Sequence, residues 1–242
     1  MPKHFFFDLD GTLTPSRSSM LEEHVPLFET LCNAYDVIVV SGAQESQMRK
    51  QLPEKGARYY MLTQNGNHAL APDNTLLWSE QFTEAQRSAA MSFIDTVRSE
   101  IKLEVSDEDD LVEDRGSQIS YSLIGHEEKS ELKRAFDPDG SKRREILGRH
   151  ILGIEILSDA GIEVTVGGTT CLDMFLRGKN KGYHVNRLIE RNGWDKNECL
   201  YIGDALAPGM NDESVVGVIP TKAVKDPDLI VKLTFFKTLL LV

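Results

Sequence analysis

Three apolar runs in this chain end the same way. Phe5-Phe6-Phe7 stops at Asp8, Val37 to Val40 stops at Ser41-Gly42, and Leu200 to Ile202 stops at Gly203-Asp204. Runs that are continuous rather than alternating suit parallel strands covered on both faces, with helical patterns between them. Two further runs, Tyr59 to Leu62 before Gln64-Asn65-Gly66 and Val215 to Ile219 before Pro220, complete an expected α/β sheet of about five strands.

The middle of the chain has a different rhythm. Ala89, Phe93, Val97 and Ile101 keep helical spacing between Thr83, a suitable amino-terminal cap, and Leu103. Strand-like runs follow at Leu111 to Glu113 and Gln118 to Ile124, and then a polar helical segment from Glu127 to Phe136. Asp137-Pro138-Asp139-Gly140 breaks it as a turn, and one helix is expected from about Lys142 to Ala160. Two strands, Ile162 to Val166 and Cys171 to Phe175, meet at Gly167-Gly168. The pattern predicts a Rossmann-like core of residues 1–80 and 176–242, interrupted by an α+β cap of residues 81–175 with a mainly antiparallel sheet.

Composition narrows the class. At 242 residues and 40% hydrophobic content the chain can bury a real core. A formal net charge of -11 argues against nucleic acid as the main partner, because counterion release needs a basic surface. Any phosphate must be held by a local site. Cys32, Cys171 and Cys199 are odd in number and widely spaced, which suggests neither a disulfide framework nor a zinc site. The amino terminus carries an acid by its eighth residue and lacks the apolar stretch of a signal peptide. Leu239 to Val242, behind Phe235 and Phe236, is far shorter than the roughly 20 residues of a membrane span, so no membrane partner is expected and a cytoplasmic location is.

The candidate chemistry lies at the strand ends. Ligands of open α/β sheets bind beyond the carboxyl ends of the strands, where Asp8 and Asp10 of Asp8-Leu9-Asp10-Gly11-Thr12 are expected. Two carboxylates so close call for a cation or a raised pKa on one of them. A plain acidic turn or a calcium loop is the alternative, but Gly11 comes too early for an EF-hand and no helix precedes it. Asp204 could join Asp8 in holding Mg²⁺, with Asn211 and Asp212 orienting its waters; a glycine-proline surface loop is the plain reading of that segment. Lys181 opens a helix where its charge and the helix terminus can together meet a phosphate, although a basic stretch is often only solvated surface. Ser41 can donate a hydrogen bond to a phosphoryl oxygen or cap the next helix.

Taken in order, FFFDLDGTLTPSR, VIVVSG, GKNKG and YIGDALAPGMND resemble the haloacid dehalogenase superfamily of phosphotransferases. The resemblance implies that Asp8 is phosphorylated, that Asp10 is the general acid and base, and that Ser41 and Lys181 bind the transferred phosphoryl group. It also implies Mg²⁺ held by Asp8, Asp204 and the backbone carbonyl of Asp10, supported by Asn211 and Asp212.

LTPSR, LVEDRGSQISYSLIGH, VTVGGTTCLDMF and GDALAPGMND extend the resemblance to eukaryotic-type phosphomannomutases along nearly the whole chain. That implies a cap of their kind, a homodimer formed through it, and a sugar phosphate bound by Arg17, Arg115 and Asp173. The chain departs from that pattern at three places. An arginine of the family's SPIGR segment is His126, the next substrate arginine falls on Lys133 with Arg134 adjacent, and a substrate-binding serine is Cys171. Lysine and histidine cannot copy arginine's bidentate fork, which alters the expected distal-phosphate pocket. The expectation is therefore a sugar phosphatase ahead of a phosphomannomutase. A phospho-accepting signalling module or a silent binding module is disfavoured by the second domain and the four motif residues.

Overall fold

The computed structural model of the protein describes residues 2–53, 56–101 and 103–224. The first part of the chain forms β1 (His4–Asp8), α1 (Val25–Ala34), β2 (Asp36–Val40), α2 (Glu45–Gln51), β3 (Tyr60–Thr63), β4 (His68–Leu70) and β5 (Leu76–Ser79). The middle forms α3 (Glu84–Glu100), β6 (Val112–Asp114), β7 (Gln118–Ser122), α4 (Ser130–Phe136), α5 (Ser141–Arg149), α6 (Ile151–Asp159), β8 (Ile162–Gly167) and β9 (Cys171–Leu176). The chain then forms α7 (Lys181–Asn192), β10 (Cys199–Gly203) and β11 (Thr221–Ala223). The apolar segment Leu239 to Val242 lies outside the described residues.

Among the described residues two compact units result, one within residues 1–79 and 179–242 and one within residues 80–178. The second ends later than position 175 because β9 continues to Leu176 and the Arg177 N–H still donates to the Gly161 carbonyl.

The first unit holds a seven-stranded sheet in the order β11-β10-β1-β2-β3-β4-β5. From β11 to β3 every pairing is parallel, while β4 and β5 add antiparallel strands at the edge. Alternate side chains of the apolar runs point to opposite faces. Phe5, Phe7, Val37 and Val39 pack with Phe28, Leu31 and Met48, whereas Phe6, Ile38, Val40 and Tyr201 pack with Val185, Leu188 and Ile189. Both faces are covered, which is why the runs do not alternate.

The sheet departs from expectation in two ways. Val215 to Ile219 is not a strand: Val215 closes a short 3-10 turn, Gly217 turns the chain with φ 87°, and Val216 and Ile219 share a single bridge. Thr221–Ala223 takes the edge position instead. β4 and β5, of three and four residues, add an antiparallel hairpin beyond the expected five strands.

The second unit holds an antiparallel sheet in the order β6-β7-β9-β8. Its Ile119, Tyr121, Leu172 and Met174 pack against Phe93, Ile94 and Val97 of α3 and Leu157 of α6. Strand alternation puts Gln118, Ser120, Ser122, Cys171 and Asp173 on the other face. Thr83 and Gln86 close a capping box at the start of α3.

The helix expected over residues 142–160 is two helices. His150 Nδ1 lies 2.8 Å from the Ile146 carbonyl, the acceptor its own backbone N–H would use in a continuous helix. That N–H donates to Leu147 instead, and the chain bends there. Buried Arg143 of α5 pairs with buried Asp137 through Nε at 2.8 Å and reaches the Gly167 carbonyl with Nη1 at 2.6 Å, fastening the turn between β8 and β9.

Candidate active site

Parallel strands end at one edge of a sheet, so Asp8 at the end of β1, Ser41 after β2 and Asp204 after β10 emerge together. Lys181 is the first residue of α7, whose start is capped by the Asn180 side chain accepting from the Tyr183 N–H at 3.0 Å. Placed there, Lys181 is 1% exposed. Its Nζ donates to Asp8 Oδ1 at 2.6 Å and to Asp212 Oδ1 at 2.7 Å. The Tyr201 hydroxyl, from β10, donates to the same Asp212 oxygen at 2.8 Å.

Asp8, Asp204 and Asp212 can each bring one carboxylate oxygen to within 4.8 Å of the others. Three carboxylates against one ammonium leave two negative charges uncompensated. Burial first, and this excess after it, set the titration behaviour. Burial lifts Asp8 to about 6 against the pull of Lys181, with Asp212 and Asp204 adding to the rise. Burial and Asp212 also raise Asp204. Burial alone would lower Lys181, but Asp8 and Asp212 outweigh it and keep the lysine charged.

The donor set fits a small divalent cation. Asp212 Oδ2 is buried without a hydrogen-bond partner, while Oδ1 takes both Lys181 and Tyr201. Two glycines leave the space open. A Cβ on Gly11, at φ 79°, would stand 2.5 Å from Asp204 Oδ2, and one on Gly203 would stand 2.3 Å from Asp212 Oδ2. All-oxygen, carboxylate-rich ligation with two charges to neutralise suits a hard divalent cation, a class that includes Mg²⁺.

Other expected residues are placed less directly. Asp212, expected to orient waters, is 0% exposed and bonded to Lys181, whereas Asn211 is exposed. Asp10 is engaged separately: its Oδ1 accepts from the Arg17 N–H at 2.6 Å and from Gln51 Nε2 at 3.0 Å. Arg17 itself is exposed, with φ 53°. Ser41 is buried and its Oγ accepts from the Ala43 N–H at 3.1 Å, shaping the loop before α2.

In the second unit, the polar sheet face gathers four of the expected residues. Arg115 Nη2 donates to Glu113 at 2.6 Å, and the Ser120 hydroxyl donates to Asp173 at 2.5 Å. The neighbouring Cys171 thiol raises the His126 imidazole, and that imidazole holds the Cys171 thiol below its usual range although burial opposes it. Lys133 Nζ binds the His126 carbonyl at 2.7 Å, while Arg134 is exposed. Sequence reasoning missed Glu113, Ser120, Tyr201 and Gln51. Only Ser120 had a signal, since it shares a strand face with Gln118 and Ser122.

Comparison with known proteins places the chain in a family. Residues 5–215 match the family model of haloacid dehalogenase-like hydrolases. The chain belongs to that family of enzymes. Among curated proteins it is similar to the phosphomannomutase of Schizosaccharomyces pombe, at 27% identity over 86% of this chain and 83% of that one. The Saccharomyces cerevisiae phosphomannomutase is 28% identical with the same coverage, 86% and 83%. Among solved structures, SMU.1108c from Streptococcus mutans superposes with a TM-score of 0.67 at 15% identity over 100% of both chains. IMP-bound Plasmodium falciparum IMP-nucleotidase gives 0.64 at 16% identity, covering 100% of this chain and 68% of that one. Both show the shared fold. Among the described residues, no helix is long and apolar enough to cross a membrane.

Proposed function

We propose that this chain is a Mg²⁺-dependent phosphohydrolase acting on a phosphorylated sugar through an aspartyl phosphate on Asp8. The observation that carries the reading is the buried bridge from Lys181 to Asp8 and Asp212. An ammonium that deep, shared by two carboxylates, is a costly arrangement that suits charge neutralisation better than stability.

A carboxylate oxygen of Asp8 attacks phosphorus and the bond from phosphorus to the sugar oxygen breaks. Asp10 gives its proton to that oxygen, and the sugar leaves as an alcohol. Asp10 then takes a proton from the attacking water, the acyl phosphate opens, and inorganic phosphate departs with Asp8 regenerated. Lys181 and the start of α7 compensate the phosphoryl charge, and Ser41 donates to a phosphoryl oxygen. Asp8, Asp204 and Asp212 Oδ2 would hold Mg²⁺, which when bound supplies further neutralisation of that charge.

Arg115, His126, Lys133, Cys171 and Asp173 of the second unit, with Arg17, are assigned to the sugar phosphate. A homodimer through the second unit belongs to the same reading.

The second reading, phosphomannomutase, is favoured by the curated relatives at 27% and 28% identity. It requires a firm grip on a distal phosphate while the sugar turns, and here His126, Lys133 and Cys171 stand where the resemblance expects arginine, arginine and serine. Hydrolysis is therefore placed first. A phosphate-release screen over hexose phosphates with Mg²⁺, run beside a bisphosphate-primed isomerisation assay, decides between the two. Phosphate release should dominate; rapid isomerisation with little free phosphate reverses the order.

A further inference from the structure

Gln51 is the last residue of α2 and is 3% exposed. Its Nε2 lies 3.0 Å from Asp10 Oδ1, 3.2 Å from Thr14 Oγ1 and 3.3 Å from the Ser18 carbonyl. A second donor reaches the same Asp10 oxygen, the Arg17 N–H at 2.6 Å, from a residue held at φ 53°. Positive φ in a residue other than glycine persists only where the surroundings impose it. The surroundings here are again the end of α2, since the Met20 N–H donates to the Gln51 carbonyl at 2.7 Å and Ser19 Oγ to the Lys50 carbonyl at 3.1 Å.

Two N–H donors on Oδ1 occupy the lone pairs a proton would need there. Oδ2 is left as the oxygen that can carry one. The helix begins at Glu45, shortly after the loop in which Ser41 Oγ accepts from the Ala43 N–H, so Ser41 and Gln51 flank one short segment.

We propose that Gln51 is a positioning residue for Asp10, fixing Oδ2 as the oxygen that exchanges the proton with the sugar. The inference rests on the phosphoryl-transfer reading of the site. In the step concerned, the Asp8–phosphorus bond forms, the bond from phosphorus to the sugar oxygen breaks, and its electron pair takes the proton from Asp10 Oδ2.

The test compares two leaving groups in the pre-steady-state burst of released alcohol. A hexose 6-phosphate needs a proton on its departing oxygen, whereas p-nitrophenyl phosphate releases a stable phenolate without one. Gln51→Leu should slow the burst with the sugar phosphate by about 10 to 100-fold, with KM little changed, and slow that with p-nitrophenyl phosphate only about threefold or less. Gln51→Glu fills the same volume but removes the donor and should give the same selective loss, which keeps the test valid if the leucine variant misfolds. In an Asp10→Ala background Gln51→Leu should add nothing, because the two residues act through one interaction. Parallel losses on both substrates, no loss on either, or additive losses in the double variant would each overturn the role of Gln51. Wild-type inactivity on both phosphates would instead overturn the reading of the site.

Discussion

Tyr201 and Lys181 bind one oxygen of Asp212, at 2.8 Å and 2.7 Å, and leave the other oxygen buried and open. Two donors on Oδ1 fix the plane of the carboxylate, and Oδ2 is thereby aimed by the protein rather than by whatever binds it. Preorganisation of this kind costs nothing at the moment of reaction.

Tyr201→Phe removes one of the two donors without changing the packed ring. A hydrogen bond to a charged group contributes about 1.5–3 kcal/mol, so the variant should lose roughly ten to a hundred fold in Mg²⁺ affinity or turnover. A Mg²⁺ titration of activity checks this; an unchanged activation curve contradicts it.

Metal binding should depend on pH in a stated direction. Asp8 is raised to about 6 in the metal-free protein, so at pH 5 a proton competes with the cation, and at pH 7.5 the carboxylate is free to bind. The increase in unfolding midpoint on adding Mg²⁺ should be large at pH 7.5 and small at pH 5. The same raised pKa means that the metal-free protein loses part of its stability as pH rises from the ordinary 3.8 through 6, since the unfolded chain ionises first. Scanning calorimetry with and without Mg²⁺ at the two pH values reads both effects.

Much of this architecture was legible because parallel strands buried on both faces write unbroken apolar runs, and the acids that follow β1 and β10 mark where those runs stop. Legibility failed where structure depends on distant or local side-chain bonds. Asp10 and Gln51 are 41 residues apart, and nothing in a glutamine at a helix end announces its partner. The break at His150 comes from a ring that takes its own helix's acceptor, which periodicity cannot register. Val215 to Ile219 has strand composition, but Gly217 spends it on a turn.

Arg143 and Asp137 form a buried ion pair that also holds the Gly167 carbonyl. Removing one partner of such a pair strands the other charge. Arg143→Met should destabilise the second unit by about 3–5 kcal/mol, and the double replacement with Asp137→Leu should recover part of that loss. Denaturant unfolding of the two variants measures the difference.

Partition between hydrolysis and isomerisation should respond to the second unit. His126→Arg with Lys133→Arg restores two bidentate cations where the chain departs from the phosphomannomutase pattern. The ratio of phosphate release to isomerisation should fall by about ten to a hundred fold, the worth of one charged hydrogen bond. An unmoved ratio would remove these positions from the account.

The nucleophile is the claim on which the rest depends. Rapid quenching of the enzyme with Mg²⁺ and a labelled hexose phosphate, followed by peptide mass spectrometry, should find an acid-stable, hydroxylamine-sensitive phosphoryl group on the peptide bearing Asp8. Asp8→Asn should fold with the label and turnover both abolished. Label on any other residue, or substantial turnover by the folded Asp8→Asn protein, would contradict the account.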